Sequence, residues 1–166
     1  MLAIQRQQLI DWCDQTLDSQ RFKDYCPNGL QVEGRSHVSK IISAVSASQS
    51  VIQLAIEAEA DAILVHHGYF WKGEDPVLVG MKAARIRQLM QHGISLIAYH
   101  LPLDAHAEFG NAVALANKLG MNNLAPFALY KKQPMGAKGS LATPLSAKDL
   151  KAKLEKLLDH SVILAT

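Results

Sequence analysis

Short apolar runs and helically spaced apolar residues alternate between positions 38 and 99 of the chain. The apolar runs predict buried strands at residues 38–47, 62–65 and 94–99. Between them, apolar residues recur every three or four positions, which predicts helices at residues 49–58 and 79–91. Two successive β-α-β units are expected to be right-handed, with parallel strands. We therefore expect an α/β fold, a layered fold with a central, largely parallel or mixed sheet flanked by helices.

The helix ends and the flanking segments carry further signals. Ser48 is a predicted N-cap and Gly93 a predicted helix stop, because a serine oxygen accepts from the first turn and glycine tolerates positive φ. Ser146 and Asp149 form a capping pattern before another helix. Helices are predicted at residues 4–17, 110–119 and 147–158, a strand at 161–165, and an irregular segment with a turn at 27–29 across residues 21–35.

The composition favours one domain and points to no macromolecular partner. The 166 residues are 49% hydrophobic, which is enough for one substantial core. The formal charge is +2 and is spread along the chain, so we see no clear nucleic-acid surface and no polybasic membrane anchor. No segment is typical of a signal peptide or a membrane span, and Cys13 and Cys26 are too few for a disulfide framework. We expect a single α/β domain over residues 1–166, cytoplasmic and soluble, with reduced thiols and no membrane contact.

Two adjacent histidines, His66 and His67, follow the second predicted strand and precede Gly68. Neighbouring residues in a regular strand point to opposite faces, so one site can use both rings only where the strand ends. Glycine allows a sharp backbone turn at that point. We therefore predict that both imidazoles face one cavity and contact one metal ion or two neighbouring ions. The alternative is that one histidine belongs to the core and the other to a loop.

A second polar group, His100 and Asp104, follows the third predicted strand. Parallel strands bring their carboxyl ends to the same edge of a sheet, so we expect these side chains near His66 and His67. Imidazole nitrogens with a carboxylate suit zinc, iron, manganese or nickel better than calcium. Asp104 could bridge two ions, or it could instead cap the helix that follows.

Three consecutive aromatic residues, Tyr69, Phe70 and Trp71, lie directly after the histidine pair and Gly68. Such a cluster could form the wall of a substrate pocket. It could equally be core at a strand exit, or a contact between subunits. The sequence alone leaves these interpretations open.

Three motifs resemble those of a known family. They are Pro27-Asn28-Gly29-Leu30-Gln31-Val32, VHHGYFWKGE from Val65 to Glu74, and HLPLDAH from His100 to His106. In this order they resemble the GTP cyclohydrolase I type 2 homologues, also called the NIF-three-like family, over residues 4–121. The resemblance implies an α/β fold, a dinuclear metal site and ring-shaped homohexamers with an interior cavity. It also implies that His66, His67 and Asp104 bind two divalent metal ions, with His100 near the metals.

The chain departs from the family pattern after Asp104. Members of this family supply a further histidine and glutamate, spaced His-x-x-x-Glu, from a C-terminal segment. No such pair follows Asp104 here, because His160 has Leu164 four positions later. We therefore expect residues 1–166 to be the N-terminal portion of a longer family fold. Three ligands shared between two ions leave both ions under-coordinated, so this form is expected to bind metal weakly or not at all.

These observations favour a dinuclear divalent-metal-binding protein, and a metal-dependent hydrolase is the leading hypothesis. Two ions would lower the pKa of a bound water and hold a substrate oxygen, while His100 would act as acid or base or orient a ligand. The small-molecule substrate is unknown, since GTP follows only from the family name and the sequence has no P-loop or dinucleotide fingerprint. The alternatives are a non-catalytic metal-binding scaffold or regulatory ring, and a plain α/β binding module in which the histidines are incidental.

Overall fold

The computed structural model describes residues 2–165, which fall into two compact units that meet in sequence between Leu103 and Asp104. The strands of the first unit are β1 (Ile4–Gln5), β2 (Gly29–Val32), β3 (His37–Val38), β4 (Ile41–Ser46), β5 (Ala62–His67) and β6 (Ser95–Ala98). Its helices are α1 (Arg6–Leu17), α2 (Gln49–Glu57) and α3 (Gly80–His92). A short helix, α4 (Leu101–Asp104), runs across the unit boundary.

The first unit is built on a four-stranded mixed sheet with the strand order β2-β6-β5-β4. Strands β4, β5 and β6 are parallel, and β2 pairs with β6 in the antiparallel direction. The predicted α/β fold class and the predicted common sheet are therefore confirmed. The start of the first predicted strand differs, because Val38 pairs with Ile4 in a separate two-stranded ribbon. The break follows from Asp61, whose carboxylate accepts from the backbone amides of Ser39 and Lys40.

The two faces of the sheet bury different side chains, as the period of two in a strand requires. One face packs against α2 and α3, and the other packs against α1. The first core contains Ile63 and Val65 of β5 with Leu96 and Ala98 of β6. The second contains Ala62 of β5, Ile97 of β6, and Tyr99, with Leu64 packed against it. This alternation assigns the next residues of β5, His66 and His67, to opposite faces.

The predicted helix ends are confirmed, whereas one strand was missed. The Ser48 hydroxyl accepts from the Val51 amide at 3.3 Å, and Gly93 ends α3 with a φ of 64°. Residues 29–32 were predicted to be irregular, and that prediction is wrong, because they form the edge strand β2. Only pairing with the distant strand β6 reveals this short segment as a strand. Within residues 2–165, no helix combines the length and the apolar character needed to cross a bilayer.

The second unit contains two helices and a long hairpin. They are α5 (Asn111–Leu119), β7 (Met121–Tyr130), β8 (Gln133–Leu141) and α6 (Ala147–Leu158). The hairpin was not predicted, because its turn uses Lys131 and Lys132 at φ values of 47° and 69° in place of the usual asparagine and glycine.

The ends of α6 give one confirmed prediction and one that is wrong. The Ser146 hydroxyl accepts from the Asp149 amide at 3.1 Å, so the predicted N-cap is confirmed. Residues 161–165 were predicted to form a strand, but the structure assigns them no secondary structure. The Val162 amide donates to the Glu155 carboxylate at 3.1 Å, so a side chain satisfies it where a strand partner would.

Candidate metal centre

Strand β5 extends through His67, so the prediction that the strand ends before the histidines is wrong. Pairing with β4 continues to Ser46 opposite His67, whereas pairing with β6 ends at Val65 opposite Ala98. His66 therefore lies beyond the last paired residue of β6, and its Nδ1 is 3.1 Å from the carbonyl oxygen of Tyr99. The two imidazole centroids are 4.3 Å apart. One-sided pairing at the strand end thus brings together two rings that a regular strand would separate.

Gly68 is needed for space and not for a sharp turn, which corrects the role predicted for it. A Cβ at this position would lie 2.7 Å from Cδ of Gln31 and 2.8 Å from Cβ of Ala98. Gln31 crosses the glycine to accept from the Tyr69 amide at 2.6 Å. The left-handed residue in this loop is Phe70, with a φ of 65°.

His100 joins the histidine pair, as parallel strand ends at one edge of the sheet predict. Its ring centroid is 5.0 Å from that of His66 and 5.6 Å from that of His67. One ring nitrogen from each of the three histidines lies within 4.8 Å of the other two. A single metal ion could therefore contact all three rings.

Asp24, a buried carboxylate, holds His100 in place. Its Oδ1 accepts from Nδ1 of His100 at 2.8 Å and from the Tyr25 amide at 2.6 Å. Its Oδ2 accepts from Nδ2 of Asn28 at 3.0 Å and from the Leu101 amide at 2.8 Å. Burial acts to raise the pKa of Asp24, but the hydrogen bonds from His100, Asn28 and the two amides outweigh burial and lower that pKa. The carboxylate therefore remains ionised and accepts only.

The partners of two histidines determine which ring nitrogens carry protons. The Tyr99 carbonyl and the Asp24 carboxylate can only accept, so His66 and His100 must each donate from Nδ1. In a neutral imidazole with this tautomer, Nε2 carries the lone pair that can bind a metal. His67 has its Nδ1 3.4 Å from the Ser46 hydroxyl, which can donate or accept.

A second group with metal-ligand atoms, Asp24, Cys26 and His100, is chemically less suitable. The Asp24 carboxylate already accepts four hydrogen bonds, which fills its lone-pair positions. Burial, together with the Asp24 charge, raises the pKa of Cys26 to about 11, so its sulfur keeps its proton. Metals bind the thiolate and not the thiol. The three-histidine group, defined as His66, His67 and His100, is the better candidate.

Asp104, the third predicted ligand, begins the second unit. Its Oδ1 accepts from Nδ2 of Asn111 at 2.6 Å. The N-cap of α5 is Gly110, so the alternative prediction that Asp104 caps this helix is wrong. The role of Asp104 as a metal ligand stays a prediction.

Of the three aromatic residues after Gly68, two belong to the core and one lies at the candidate metal centre. Tyr69 is buried in the core and donates its hydroxyl proton to the Ala47 carbonyl at 2.7 Å. Phe70 packs against the same core. Trp71 lies beside the three-histidine group, with its ring centroid 5.0 Å from that of His100 and 5.9 Å from that of His67. Of these three aromatic residues, Trp71 is the one that borders the candidate metal centre.

Sequence reasoning missed the residues that support the histidines. Asn28 was noted only as part of a turn, yet its Oδ1 accepts from the His100 amide at 2.8 Å. Its place in the first family-like motif was the available signal. Asp24 lies outside all three motifs, and it meets His100 only after the chain has folded.

Comparison with known proteins gives consistent matches. The family described as Duf34/NIF3 (NGG1p interacting factor 3) matches residues 4–166. A GTP cyclohydrolase 1 type 2 homolog from Pseudomonas aeruginosa is 47% identical over 163 residues, covering 98% of this chain and 65% of the relative. The homolog from Haemophilus influenzae is 46% identical, covering 99% of this chain and 64% of the relative.

Solved structures show the same similarity. The protein ybgI, described as of unknown function, superimposes with a TM-score of 0.88 at 40% identity and covers 95% of this chain and 62% of its own. TTHA1606 from Thermus thermophilus gives a TM-score of 0.82 at 38% identity, covering 92% of this chain and 61% of its own. The chain thus spans less than two thirds of the length of the relatives that it matches.

Proposed function

The chain belongs to the Duf34/NIF3 family, and on that premise we propose that it forms part of a dinuclear divalent-metal centre in a metal-dependent hydrolase. The observation that carries the proposal is the three-histidine group, in which one ring nitrogen of each histidine lies within 4.8 Å of those of the other two. Clustered imidazoles suit zinc, iron, manganese and nickel. An acidic oxygen cage for calcium would need a different set of side chains.

The surroundings of the histidines fit a metal site. A metal-binding histidine usually donates its second ring nitrogen to a carboxylate or a carbonyl, which fixes the ring and its tautomer. His100 donates to Asp24 and His66 donates to the Tyr99 carbonyl, so both rings are held in this way before any ion binds. Such preorganisation reduces the cost of ordering the ligands when the ion arrives.

We propose His66 and His67 as ligands, together with Asp104 as the residue that bridges two ions, the role that the family resemblance implies. For His100 the geometry favours ligation over the acid or base role predicted from sequence. Its Nδ1 is committed to Asp24, and one of its ring nitrogens lies within reach of the other two histidines. A ligating Nε2 has no lone pair left for proton transfer.

A bound divalent ion would supply a water of lowered pKa and would polarise an oxygen of the substrate. The chain itself would orient the ligands and limit access to them. Asp24 fixes the His100 ring, and the Trp71 ring lies against His100 and His67 at the side of the site. GTP is one substrate to test, because the relatives are called GTP cyclohydrolase 1 type 2 homologs.

Calorimetric titration with zinc and manganese tests the metal centre. We expect His66→Ala and His100→Ala each to weaken binding about 10-fold or more, by analogy with the loss of supporting residues at metal sites. His92→Ala is a matched control, because His92 is exposed at the end of α3 and outside the group. Equal losses in all three variants would show that the ions bind nonspecifically.

Turnover assays separate the hydrolase from the alternative function. Metal-loaded protein would be incubated with GTP, phosphomonoesters and small peptides, with a chelator-treated sample as the control. We expect metal-dependent hydrolysis of at least one of these classes. Metal binding without turnover of any class would favour the non-catalytic scaffold.

We also propose that the chain self-associates, with the homohexameric ring implied by the family resemblance as the expected form. Support comes from an exposed apolar run before and at the start of α3, in which Val77, Leu78, Val79 and Met81 are 57%, 48%, 66% and 68% exposed. Contiguous exposed apolar side chains mark contact surfaces. Light scattering should report an oligomer, and a clean monomer at micromolar concentration would contradict the proposal.

A further inference from the structure

A cleft of about 300 Å³ lies beside His67, on the face of the sheet that packs against α2 and α3. This volume is at the lower end of the range for small-molecule sites. The polar and aromatic residues that line it include Ser46, Ser48, His67, Trp71, Lys82 and Arg85. His67 belongs both to this cleft and to the three-histidine group, so the cleft adjoins the candidate metal centre.

Two cations enter the cleft from adjacent turns of α3. Lys82 donates to the Glu74 carboxylate at 2.7 Å, in a partly exposed ion pair. Arg85 makes no ion pair with any residue between positions 2 and 165. Its Nε is buried and has no hydrogen-bond partner among those residues. Arg85 lines the cleft and has no carboxylate partner in this part of the chain, so the charge of its guanidinium is available to an anionic ligand.

The neighbours of Arg85 do not neutralise its charge. The Tyr69 hydroxyl donates its proton to the Ala47 carbonyl at 2.7 Å, and its oxygen accepts a hydrogen bond from the Arg85 side chain, which leaves the guanidinium charge in place. Burial raises the pKa of Tyr69, and Arg85 offsets only part of that rise, so the phenol stays uncharged. The cleft is lined by one carboxylate, Glu74, which Lys82 balances. One positive charge therefore remains for a ligand.

The remaining donors also suit an oxyanion. Hydroxyls of Ser46 and Ser48 line the cleft, and Ser48 is the N-cap of α2. A helix N-terminus adds partial positive charge to a site that is already cationic. An arginine fork, a lysine and hydroxyl donors together match a phosphoryl group, which offers several acceptor oxygens.

We propose that this cleft binds the phosphoryl group of a small phosphorylated substrate, with Arg85 as its main contact and Lys82 as its second. The part of the proposal that places the reacting end of the substrate at the three-histidine group rests on the proposed function. The phosphate-binding part does not, because Lys82 and Arg85 lie outside the three-histidine group. Both residues are therefore substrate-positioning residues.

Inorganic phosphate is the probe, and binding is measured by phosphorus NMR on the 166-residue chain after chelator treatment, so that no metal can hold the anion. Arg85→Gln should raise the dissociation constant about 10-fold or more, as expected for loss of charge-assisted hydrogen bonds. Lys82→Gln should raise it by a smaller factor, and it serves as a second variant if Arg85→Gln fails to fold. Arg87→Gln is the matched control, since Arg87 is exposed on the same helix and does not line the cleft. We expect it to change the constant less than about 2-fold.

The outcomes separate this proposal from the proposed metal centre. Phosphate binding without metal that is lost in Arg85→Gln supports the cleft, whether or not metal binds. Phosphate binding that requires metal and is unchanged in Arg85→Gln would overturn the cleft and leave the metal centre standing. An equal loss of phosphate affinity in Arg87→Gln would also overturn the proposed phosphate site. So would the absence of saturable phosphate binding to the chelator-treated protein.

Discussion

Replacing Asp24 by asparagine should destabilise the first unit and release His100. The wild-type carboxylate is only 2% exposed. It accepts from the Tyr25 and Leu101 amides, from Asn28 and from His100. Asparagine has nearly the same shape but only one acceptor oxygen. The amide nitrogen of asparagine would replace one carboxylate oxygen of the wild type. The two donors that bond to this oxygen in the wild type would then lack an acceptor.

The expected loss follows from counting these donors. A buried donor left without an acceptor costs about 1–3 kcal/mol of stability. Two such donors should therefore lower the free energy of unfolding by about 3 kcal/mol after local relaxation. For a folding unit of this size, that loss corresponds to a melting temperature lower by about 10 °C or more. Metal affinity should fall about 10- to 100-fold, because the carboxylate that orients His100 is gone.

Urea unfolding followed by circular dichroism measures the stability, and calorimetry measures the metal affinity. Asp11→Asn is the matched control, since Asp11 is exposed on α1 and accepts from the nearby Gln7 side chain. We expect that control to lie within about 0.5 kcal/mol of the wild type. If Asp24→Asn were equally harmless, the hydrogen-bond network around Asp24 would not support the site.

The lowered pKa of Asp24 predicts how the stability difference between the wild type and Asp24→Asn changes with pH. Although burial acts to raise it, the pKa of Asp24 in the folded state is lowered by hydrogen bonds, so the folded state binds this proton less readily than the unfolded state. The carboxylate therefore contributes its full stability above its unfolded pKa of about 3.9 and loses that contribution as the pH falls through the lower folded pKa. The stability difference between the wild type and Asp24→Asn should be constant near neutral pH and should shrink below about pH 4.

Substitutions at three further positions test the surrounding fold in urea titrations. Gly68→Ala should cost about 1–3 kcal/mol, since its Cβ would lie 2.8 Å from Cβ of Ala98, and an unchanged midpoint would show that the loop relaxes freely. Tyr99→Phe should cost about 1 kcal/mol, because its hydroxyl donates to the Asp14 carboxylate at 2.9 Å; a variant as stable as the wild type would mean that this bond contributes nothing. Ser48→Ala should cost about 1 kcal/mol through loss of the α2 N-cap, and Ser48→Gly should recover most of that loss.

The central part of the fold could be predicted because its signals are local. The strands β4 to β6 have continuous apolar runs, and the helices between them have apolar residues along one face. Ser48 and Gly93 mark two helix ends. The edge strand β2 could not be predicted, since its four residues depend on pairing with β6. The hairpin of the second unit was missed because lysines occupy its left-handed turn.

The part of the candidate site that could be predicted consists of histidines at the ends of predicted parallel strands. His66, His67 and His100 follow or end parallel strands, so topology alone predicts their proximity. Asp24 could not be found in this way, because an isolated aspartate carries no signal and its contact with His100 spans 76 positions. The actual role of Gly68 also depends on Gln31, which lies on another strand.

Anomalous scattering from crystals grown with zinc or manganese tests the metal centre most directly, because it reports both the element and its position. We predict anomalous density at the three-histidine group, with each zinc ion about 2.0–2.1 Å from the histidine nitrogen that binds it. A peak between Asp24 and Cys26, or no peak at the three histidines in crystals that contain the metal, would contradict this prediction.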